Sequence, residues 1–220
     1  MVQRKIHHIL KSSGNGKDFH YLPELAIQFE LDQIILVTEK VDGSTLQAKG
    51  GELYKRYDNF SKNDPRKQTA TEQERYRLDK CSRSNPSEKW YWQSFDAYRP
   101  QFERLGLHHP DIWVYFEALG SKIGARYPGL GPTVRVFDAG TETAFEPFRG
   151  AGEVADAYAL PMVFYYYRQF SGLEHLLADL QSAVSGDIGL PEHKLEGWVL
   201  RQGDLIGKIR VADLNKLEGR

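Results

Sequence analysis

The stretch from Thr38 to Ser44 carries side chains suited to covalent chemistry. Lys40 ends an apolar, β-branched run and is followed by Val41, Asp42 and Gly43. A free lysine has a pKa of about 10.4, so a lysine that attacks as a nucleophile needs partial burial and neighbouring cations. On an extended strand Asp42 would project to the same side as Lys40 and orient the amine or a metal-bound water. We therefore take Lys40 as the candidate nucleophile.

Lysine-x-aspartate-glycine is common by chance, but further candidates follow it downstream in a fixed order. Lys208 and Arg210 are separated by Ile209, which places both cations on one face of a strand. Two cations beside an amine favour its neutral form and neutralise charge that develops on a phosphate. Two surface basic residues on an edge strand are the alternative. The remaining members of the series are Arg56, Glu117, Phe137 and Glu196.

This ordered series resembles the motifs of the covalent nucleotidyltransferases, the superfamily of RNA ligases, DNA ligases and mRNA capping enzymes. The resemblance runs from about residue 34 to 211. Residues 53–58, 117–131 and 194–197 are similar to the metazoan 5′-to-3′ RNA ligase family, and phage RNA-ligase-2 type enzymes are more distantly similar. The resemblance thus places the chain in the RNA ligase branch.

The resemblance implies a role for each residue around the phosphates. Lys40 becomes linked to AMP, Lys208 and Arg210 act on the phosphates, and Glu196 holds the catalytic Mg²⁺ or Mn²⁺. Such a cation prefers oxygen ligands and usually keeps several waters. Many ligases have lysine where this chain has Arg210, and a guanidinium forks where an ammonium acts as a point charge.

The nucleoside end of ATP has its own expected contacts. By resemblance, Glu117 binds the ribose, Arg56 contacts the nucleotide or the RNA 5′ end, and Phe137 stacks on the base. Packing of Phe137 in the core, as a continuation of its apolar strand, is an equal alternative. Glu39 is expected among the nucleotide-binding residues as a supporting contact.

The elements that must position these residues are strands. Alternation and β-branched content predict strands at 33–40, 44–48, 52–57, 113–119, 133–138, 197–201 and 205–211. Turns at Asp42-Gly43 and Gly50-Gly51 predict that the first three strands lie together in antiparallel order. We expect an α+β nucleotidyltransferase (adenylation) domain with antiparallel sheets, flanking helices and no OB-fold, since the sequence ends about ten residues after Arg210. Residues 1–220 would form this single domain, with a basic insertion at about 58–92.

Two helices have capping-box signatures. Ser171 with Glu174 opens a leucine-rich helix that is expected to be core scaffolding, and Thr71 with Glu74 opens a second helix that is expected to be exposed. The cluster of residues 90–92, Trp-Tyr-Trp, either anchors the insertion in the core or offers a base-stacking platform.

Charge divides the chain unevenly. Residues 55–89 contain 10 basic and 6 acidic side chains, a net charge of +4, although the whole chain has a net charge of −1. Contacts to RNA phosphates and a solvated mixed-charge surface explain this segment equally well. The apolar stretches are too short to span a bilayer and no leader is apparent, so we expect a cytoplasmic protein. Cys81 is the single cysteine, which excludes an intrachain disulfide.

The expected activity is that of an ATP-dependent RNA ligase that joins 5′-phosphate and 3′-hydroxyl RNA ends through a lysyl-AMP intermediate. A GTP-dependent capping-type guanylyltransferase and a non-catalytic RNA-binding module that retains the fold are the alternatives. The sequence leaves open whether the RNA is a nicked duplex, a broken tRNA or free ends, and whether an end-healing partner enzyme prepares those ends.

Overall fold

The computed structural model describes residues 6–14, 18–61, 63–120, 122–123, 127, 129–141, 149–182 and 196–217. They belong to two compact units, one built from Gly43–Met162 and the other from Ile6–Asp42 together with the chain from Val163 onward. The chain therefore passes from one unit to the other directly after Asp42, two residues beyond Lys40. Organisation as a single domain over residues 1–220 stays a prediction.

Strands dominate both units. The strands are β1 (His7–His8), β2 (Leu10–Ser13), β3 (His20–Leu25), β4 (Ile35–Lys40), β5 (Ser44–Lys49), β6 (Glu52–Asp58), β7 (Tyr76–Lys80), β8 (Trp113–Leu119), β9 (Thr133–Gly140), β10 (Tyr165–Arg168), β11 (Gly197–Gln202) and β12 (Leu205–Arg210). The α-helices are α1 (Glu72–Arg75), α2 (Lys89–Asp96), α3 (Arg99–His108), α4 (Arg149–Tyr158), α5 (Leu173–Ser182) and α6 (Val211–Leu214), and 3₁₀ turns cover Pro65–Gln68 and Pro86–Glu88. None of the described helices has the length and apolar character needed to cross a membrane.

The first unit is an antiparallel five-stranded sheet in the order β7-β6-β5-β8-β9. Its strands alternate between core and polar positions, because successive side chains point to opposite faces. Leu46, Phe116 and Val136 belong to a core that also includes residues of α2, α3 and α4. Gly50 and Gly51 both have positive φ, +56° and +78°, which suits the predicted tight turn of the β5-β6 hairpin.

The second unit contains a five-stranded sheet in the order β1-β12-β11-β4-β10, in which β1 runs parallel to β12 and the other pairs are antiparallel. A separate hairpin pairs β2 with β3. The core of this unit includes Trp198 and Ile209 from the sheet and Leu176, Leu177 and Leu180 from α5. The α+β class with antiparallel sheets is therefore confirmed.

All seven predicted strands are present with shifts of one or two residues at their ends, but one pairing prediction was wrong. Strand β4 pairs with β10 and β11, whereas β5 pairs with β6 and β8. The Asp42-Gly43 segment carries the chain into the other unit instead of folding β5 back against β4. Turn residues indicate where a strand ends but do not determine its hydrogen-bonded partner.

The helix predictions had mixed outcomes. The capping box at Thr71 forms, since the Glu74 amide donates to Thr71 Oγ1 (3.2 Å) and the Thr71 amide donates to Glu74 Oε2 (2.8 Å). The helix nevertheless ends at Arg75, because Tyr76–Lys80 pair with β6 as a strand. Helices α2, α3 and α4 were not anticipated.

Helix α5 begins at Leu173, and Ser171 contacts the His175 ring through its amide and hydroxyl. The buried leucines of this helix confirm its role in the core. Trp92 is buried in the first-unit core, with Trp90 and Tyr91 packed against it, so the anchoring interpretation of the aromatic cluster is confirmed.

Candidate functional site

The cations of the second unit share one face of its sheet. Strand β11 lies between β4 and β12, and Gly197 pairs with Lys40 on one side and Arg210 on the other. Residues directly opposite each other on neighbouring strands project to the same face, so Lys40 and Arg210 do too, with Cα atoms about 10 Å apart. In the adjoining row Val199 lies between Thr38 and Lys208. The register thus brings Lys40, Lys208 and Arg210 to one face.

Glu196 contacts the candidate nucleophile. The Lys40 amine donates a hydrogen bond to Glu196 Oε2, and the side chains of Lys40 and Glu196 are 26% and 25% exposed. Glu196 directly precedes β11, so the pairing of Gly197 with Lys40 fixes both ends of this ion pair. The contact holds the amine beside a carboxylate in a partly buried setting.

Gly197 is required by the close approach of two strands. A Cβ at this position would lie 2.1 Å from the Ile209 carbonyl oxygen and 2.6 Å from the Arg210 Cα. Those distances are far below van der Waals contact, so a side chain would force β11 and β12 apart. The glycine also leaves the space between Lys40 and Arg210 without a side chain.

Arg210 is held by an acid that the sequence did not reveal. Asp213 Oδ1 accepts from Arg210 Nε (3.1 Å) and Nη2 (2.9 Å), and the Asp213 side chain is 2% exposed. This hydrogen bonding raises the pKa of Arg210 above its usual value. Asp213 occupies the third position of α6 and also accepts from the Arg210 amide (2.8 Å). An acid three residues after a strand end is the capping-box signal that would have identified it.

Glu117 lies in the first unit, on the polar face of its sheet. Thr45 Oγ1 donates to Glu117 Oε1 (2.6 Å), and these two residues are direct partners between β5 and β8. A Cβ on Gly43 would lie 2.6 Å from the Ala118 carbonyl oxygen and 3.0 Å from Glu117 Oε2. Glycine at 43 is thus explained by close packing against β8, whereas the sequence suggested a turn. Thr45 was missed, because the sequence does not show that β5 and β8 are neighbouring strands.

Arg56 and Phe137 also belong to the first unit. The Arg56 guanidinium lies 4.1 Å from the centre of the Tyr76 ring, a cation–π contact. Phe137 is half-buried at a β-bulge where the register between β8 and β9 shifts. Among the described residues, the core of this unit includes Val134 and Val136 but not Phe137.

Glu39 and Asp42 are placed differently from Lys40. Glu39 pairs with Trp198, which pairs in turn with Ile209, so the buried Glu39 side chain projects to the face opposite Lys40. Asp42 lies two residues beyond the end of β4. Strand alternation therefore gives no direction for its side chain.

The donor set suits a cation that is shared with a substrate. Within the described ranges, no group of three or more His, Cys, Asp or Glu residues is arranged to hold a metal ion. Mg²⁺ is commonly held by one or two carboxylates together with waters and substrate phosphates. A single carboxylate such as that of Glu196 fits a site of this kind. Cys81 offers no alternative nucleophile, because burial raises the pKa of its thiol to about 12.

The basic segment has many internal partners. Of its nine basic side chains that the structure describes, at least seven form ion pairs with acids: Lys55, Arg66, Lys67, Arg75, Arg77, Lys80 and Arg83. Lys62 lies outside the described residues. Contact of this segment with RNA phosphates stays a prediction.

Comparison with solved structures shows which proteins share this fold. An RNA ligase from Naegleria gruberi, determined with ATP and manganese, has a TM-score of 0.56 and 18% identity over 84% of this chain and 51% of the ligase. The same ligase with AMP and manganese matches 86% of this chain and 53% of its own, again with a TM-score of 0.56 and 18% identity. An archaeal ATP-dependent RNA ligase has a TM-score of 0.56 and 16% identity over 96% of this chain and 48% of its own.

No protein-family model matches the sequence, and neither does any curated protein. The likeness to the metazoan family, part of which falls on residues outside the described ranges, stays a prediction. This chain spans about half the length of the ligases that it matches. The structural neighbours are RNA ligases, among them an archaeal ATP-dependent RNA ligase, and this chain shares the fold of about half of each of them.

Proposed function

We propose that this chain is an ATP-dependent RNA ligase that forms a covalent AMP adduct on Lys40. The observation that supports this most directly is the placement of Lys40 at a strand end, in contact with Glu196 and on one sheet face with Lys208 and Arg210. A nucleophilic amine, a carboxylate and two cations are the groups that adenylyl transfer requires. The shared fold with RNA ligases supports the same activity.

In the first step the Lys40 ammonium releases a proton to solvent, and the neutral amine attacks the α-phosphorus of ATP. A phosphorus–nitrogen bond forms, and the bond to the pyrophosphate oxygen breaks with that oxygen keeping the electron pair. Lys208 and Arg210 donate hydrogen bonds to the phosphates and offset the charge that develops on them. Both cations lie on the sheet face that carries Lys40.

Glu196 has two tasks in this proposal. It orients the Lys40 amine through their hydrogen bond. Glu196 would also hold Mg²⁺ or Mn²⁺, and such a cation neutralises phosphate charge when it is bound. A cation held by Glu196 would weaken the hydrogen bond between this carboxylate and Lys40. Glu117, which accepts a hydrogen bond from Thr45, and Phe137 stay the predicted contacts of the ribose and the base.

The two later steps use the same phosphate-binding groups. A 5′-phosphate oxygen of the RNA attacks the phosphorus of the AMP adduct and displaces the Lys40 amine. A 3′-hydroxyl then attacks the RNA 5′-phosphorus and releases AMP, which closes the phosphodiester. Arg56 and the basic segment at residues 55–89 are proposed to hold the RNA, because cationic side chains supply most of the affinity of proteins for nucleic acid.

The proposal is tested by incubating the protein with α-labelled ATP or GTP and magnesium or manganese, followed by denaturing electrophoresis. We expect an acid-labile covalent label from ATP in the wild type and none in Lys40→Ala. Lys11→Ala, which removes an exposed lysine paired with Glu24, is the matched control and is expected to label normally.

The alternatives give different results in the same assay. Label from GTP alone would indicate a capping-type guanylyltransferase. RNA binding without any label, in protein shown not to be adenylated already, would indicate a non-catalytic RNA-binding module. Labelled wild type that fails to join 5′-phosphate and 3′-hydroxyl RNA ends would limit the activity to adenylyl transfer.

A further inference from the structure

A partly buried cluster of side chains surrounds the buried carboxylate of Asp213 in the second unit. Besides Arg210, the carboxylate has His8 as a partner, with His8 Nδ1 2.9 Å from Asp213 Oδ2. His8 in turn has the Tyr21 hydroxyl 3.1 Å from its Nδ1, and the two rings stack with centroids 5.4 Å apart. The cluster joins β1, β3, β12 and α6. It is larger than the capping of a four-residue helix requires.

The cluster is continuous with the face that carries the candidate nucleophile. His8 pairs directly with Lys208 across β1 and β12, so the two side chains project to the same face. Arg210 belongs to the row of Lys40 and Gly197 on that face. Asp213 therefore acts on the side of the sheet where adenylyl transfer is proposed.

Burial, hydrogen bonds and neighbouring charges shift the pKa values of Asp213 and His8. Burial alone would raise the pKa of Asp213, but hydrogen bonds from the Arg210 side chain and amide outweigh burial and lower it. Burial lowers the pKa of His8, assisted by the positive charges of Lys208 and Arg210 and opposed by Asp213. At neutral pH Asp213 is a carboxylate and His8 is uncharged, so the His8 ring donates its Nδ1 proton to Asp213.

Two donors of the Arg210 fork are thus committed. Nε and Nη2 donate hydrogen bonds to Asp213 Oδ1, and these two bonds fix the plane of the guanidinium. Nη1 does not take part in either of them. The negative charge of Asp213 offsets the positive charge of Arg210. Arg210 is therefore better suited to give an oriented hydrogen bond than to act as a point charge.

We propose that Asp213 is a positioning residue for adenylyl transfer: its carboxylate orients the Arg210 guanidinium toward the phosphates. His8 contacts the same carboxylate, and Tyr21 contacts His8. This inference rests on the proposed function. It explains why arginine replaces the lysine that many related enzymes have at this position: a lysine has no planar fork that a neighbouring carboxylate can fix.

The test is a double-mutant cycle on the rate of covalent labelling by ATP. Asp213→Asn is expected to lower the maximal labelling rate by about ten- to a hundredfold, the usual range for groups that orient a primary ligand. In an Arg210→Ala background, the same change is expected to have no further effect on the rate. Glu24→Gln, which removes an exposed acid paired with Lys11, should label as the wild type does.

Thermal denaturation separates a loss of orientation from a loss of fold. In the Arg210→Ala background Asp213→Asn still weakens the contacts with His8 and with the backbone amide of residue 210, so part of its stability cost should persist, whereas its cost in labelling rate should vanish. Tyr21→Phe is a milder second variant that removes one hydroxyl, and its several-fold loss in rate should also vanish without Arg210. All rates are measured well below the unfolding temperature of each variant.

The outcomes are distinct. Wild-type labelling with equal rate losses for Asp213→Asn in both backgrounds would overturn the positioning role and leave the proposed function intact. An unchanged rate in Asp213→Asn would do the same. Absence of labelling in the wild type would overturn the proposed function, and the positioning role with it.

Discussion

The cations of this protein fall into two groups that are fixed in different ways. On the second-unit sheet, Lys40, Lys208 and Arg210 share a face because strands distant in sequence are paired, and Lys40 bonds to a glutamate 156 residues away. In the segment at residues 55–89, Arg66 and Arg77 instead pair with acids two residues away. The first arrangement requires the whole sheet, whereas the second requires a few neighbouring residues.

The difference shows what an excess of basic residues indicates. Residues 55–89 have the highest net positive charge of the chain, yet their two most exposed ion-paired cations, Arg66 and Arg77, are each paired with an acid two residues away. The second-unit cations Lys208 and Arg210 are few but share one sheet face with the candidate nucleophile, Lys40. A site of chemistry is therefore marked by long-range register more than by the number of charges.

Removal of Lys208 is the most direct test of the role of the shared sheet face. In Lys208→Ala we expect the rate of covalent labelling by ATP to fall about 100- to 1,000-fold, the usual effect of losing one group that stabilises transition-state charge. Strand β12 retains its backbone pairing, so the unfolding temperature should change little. The rate is measured by rapid-quench labelling.

The labelling rate of Arg210→Ala is measured in the same experiment and compared with that of Lys208→Ala. Its rate loss should be smaller than that of Lys208→Ala, because Asp213 already offsets the Arg210 charge. Lys11→Ala in the same unit should not differ from wild type. Equal rates for Lys208→Ala and Lys11→Ala would contradict the role of the shared face.

Within the basic segment, one ion pair is expected to matter for stability. Glu88 is buried and accepts hydrogen bonds from Lys55, the Ser82 amide and Asn85. Glu88→Gln should lower the free energy of unfolding by about 2 kcal/mol at pH 7, in the range for hydrogen bonds to a charged group. Chemical denaturation measures the change, with the exposed Glu103→Gln as control.

The same pair predicts a pH dependence. Burial would raise the pKa of Glu88, but its hydrogen bonds outweigh burial and lower the pKa below the ordinary 4.5. The folded protein therefore binds this proton less readily than the unfolded chain, and the stabilisation is complete above about pH 4.5. It is lost as the pH falls through the folded pKa. The difference between wild type and Glu88→Gln should shrink on acidification, and a constant difference would contradict this account.

The strands were predictable from sequence because alternation is a local property. Residues 113–119 show this well, since the predicted and observed limits are identical. The partner of β4 was not predictable, because pairing with β10 and β11 depends on contacts more than 120 residues away. The signal for α2 and α3 was present in apolar pairs three residues apart, Trp92 with Phe95 and Phe102 with Leu105, but aromatic clustering obscured it.

Some features of the candidate site were also predictable from the sequence, and others were not. The order of its residues was visible in the sequence, and the shared face of Lys208 and Arg210 followed from their spacing. The contact of Asp213 with His8 and the requirement for glycine at 197 were not visible, because both arise from the packing of elements that are distant in sequence. Hydrogen-bond partners across elements are a property of the packed chain.

The smallest expected effect on chemistry comes from the exposed cations of the basic segment. The side chains of Arg66 and Arg77 are 74% and 60% exposed, and each pairs with an acid two residues away. Exposed ion pairs contribute about 0–1 kcal/mol, so exchanging these acids for RNA phosphates costs little. The double variant Arg66→Ala, Arg77→Ala should therefore retain the fold and the labelling rate of wild type.

RNA binding by this double variant decides between the two interpretations of the segment. If both arginines bind phosphates, the slope of log affinity against log salt concentration should fall by about 2, because each arginine removed lowers it by about 1. We expect this fall, measured by fluorescence anisotropy with a 5′-phosphorylated RNA. Lys11→Ala should leave the slope unchanged. A double variant with the wild-type slope would show that the segment is a solvated surface, and RNA binding would then have to depend on the shared face of the second unit.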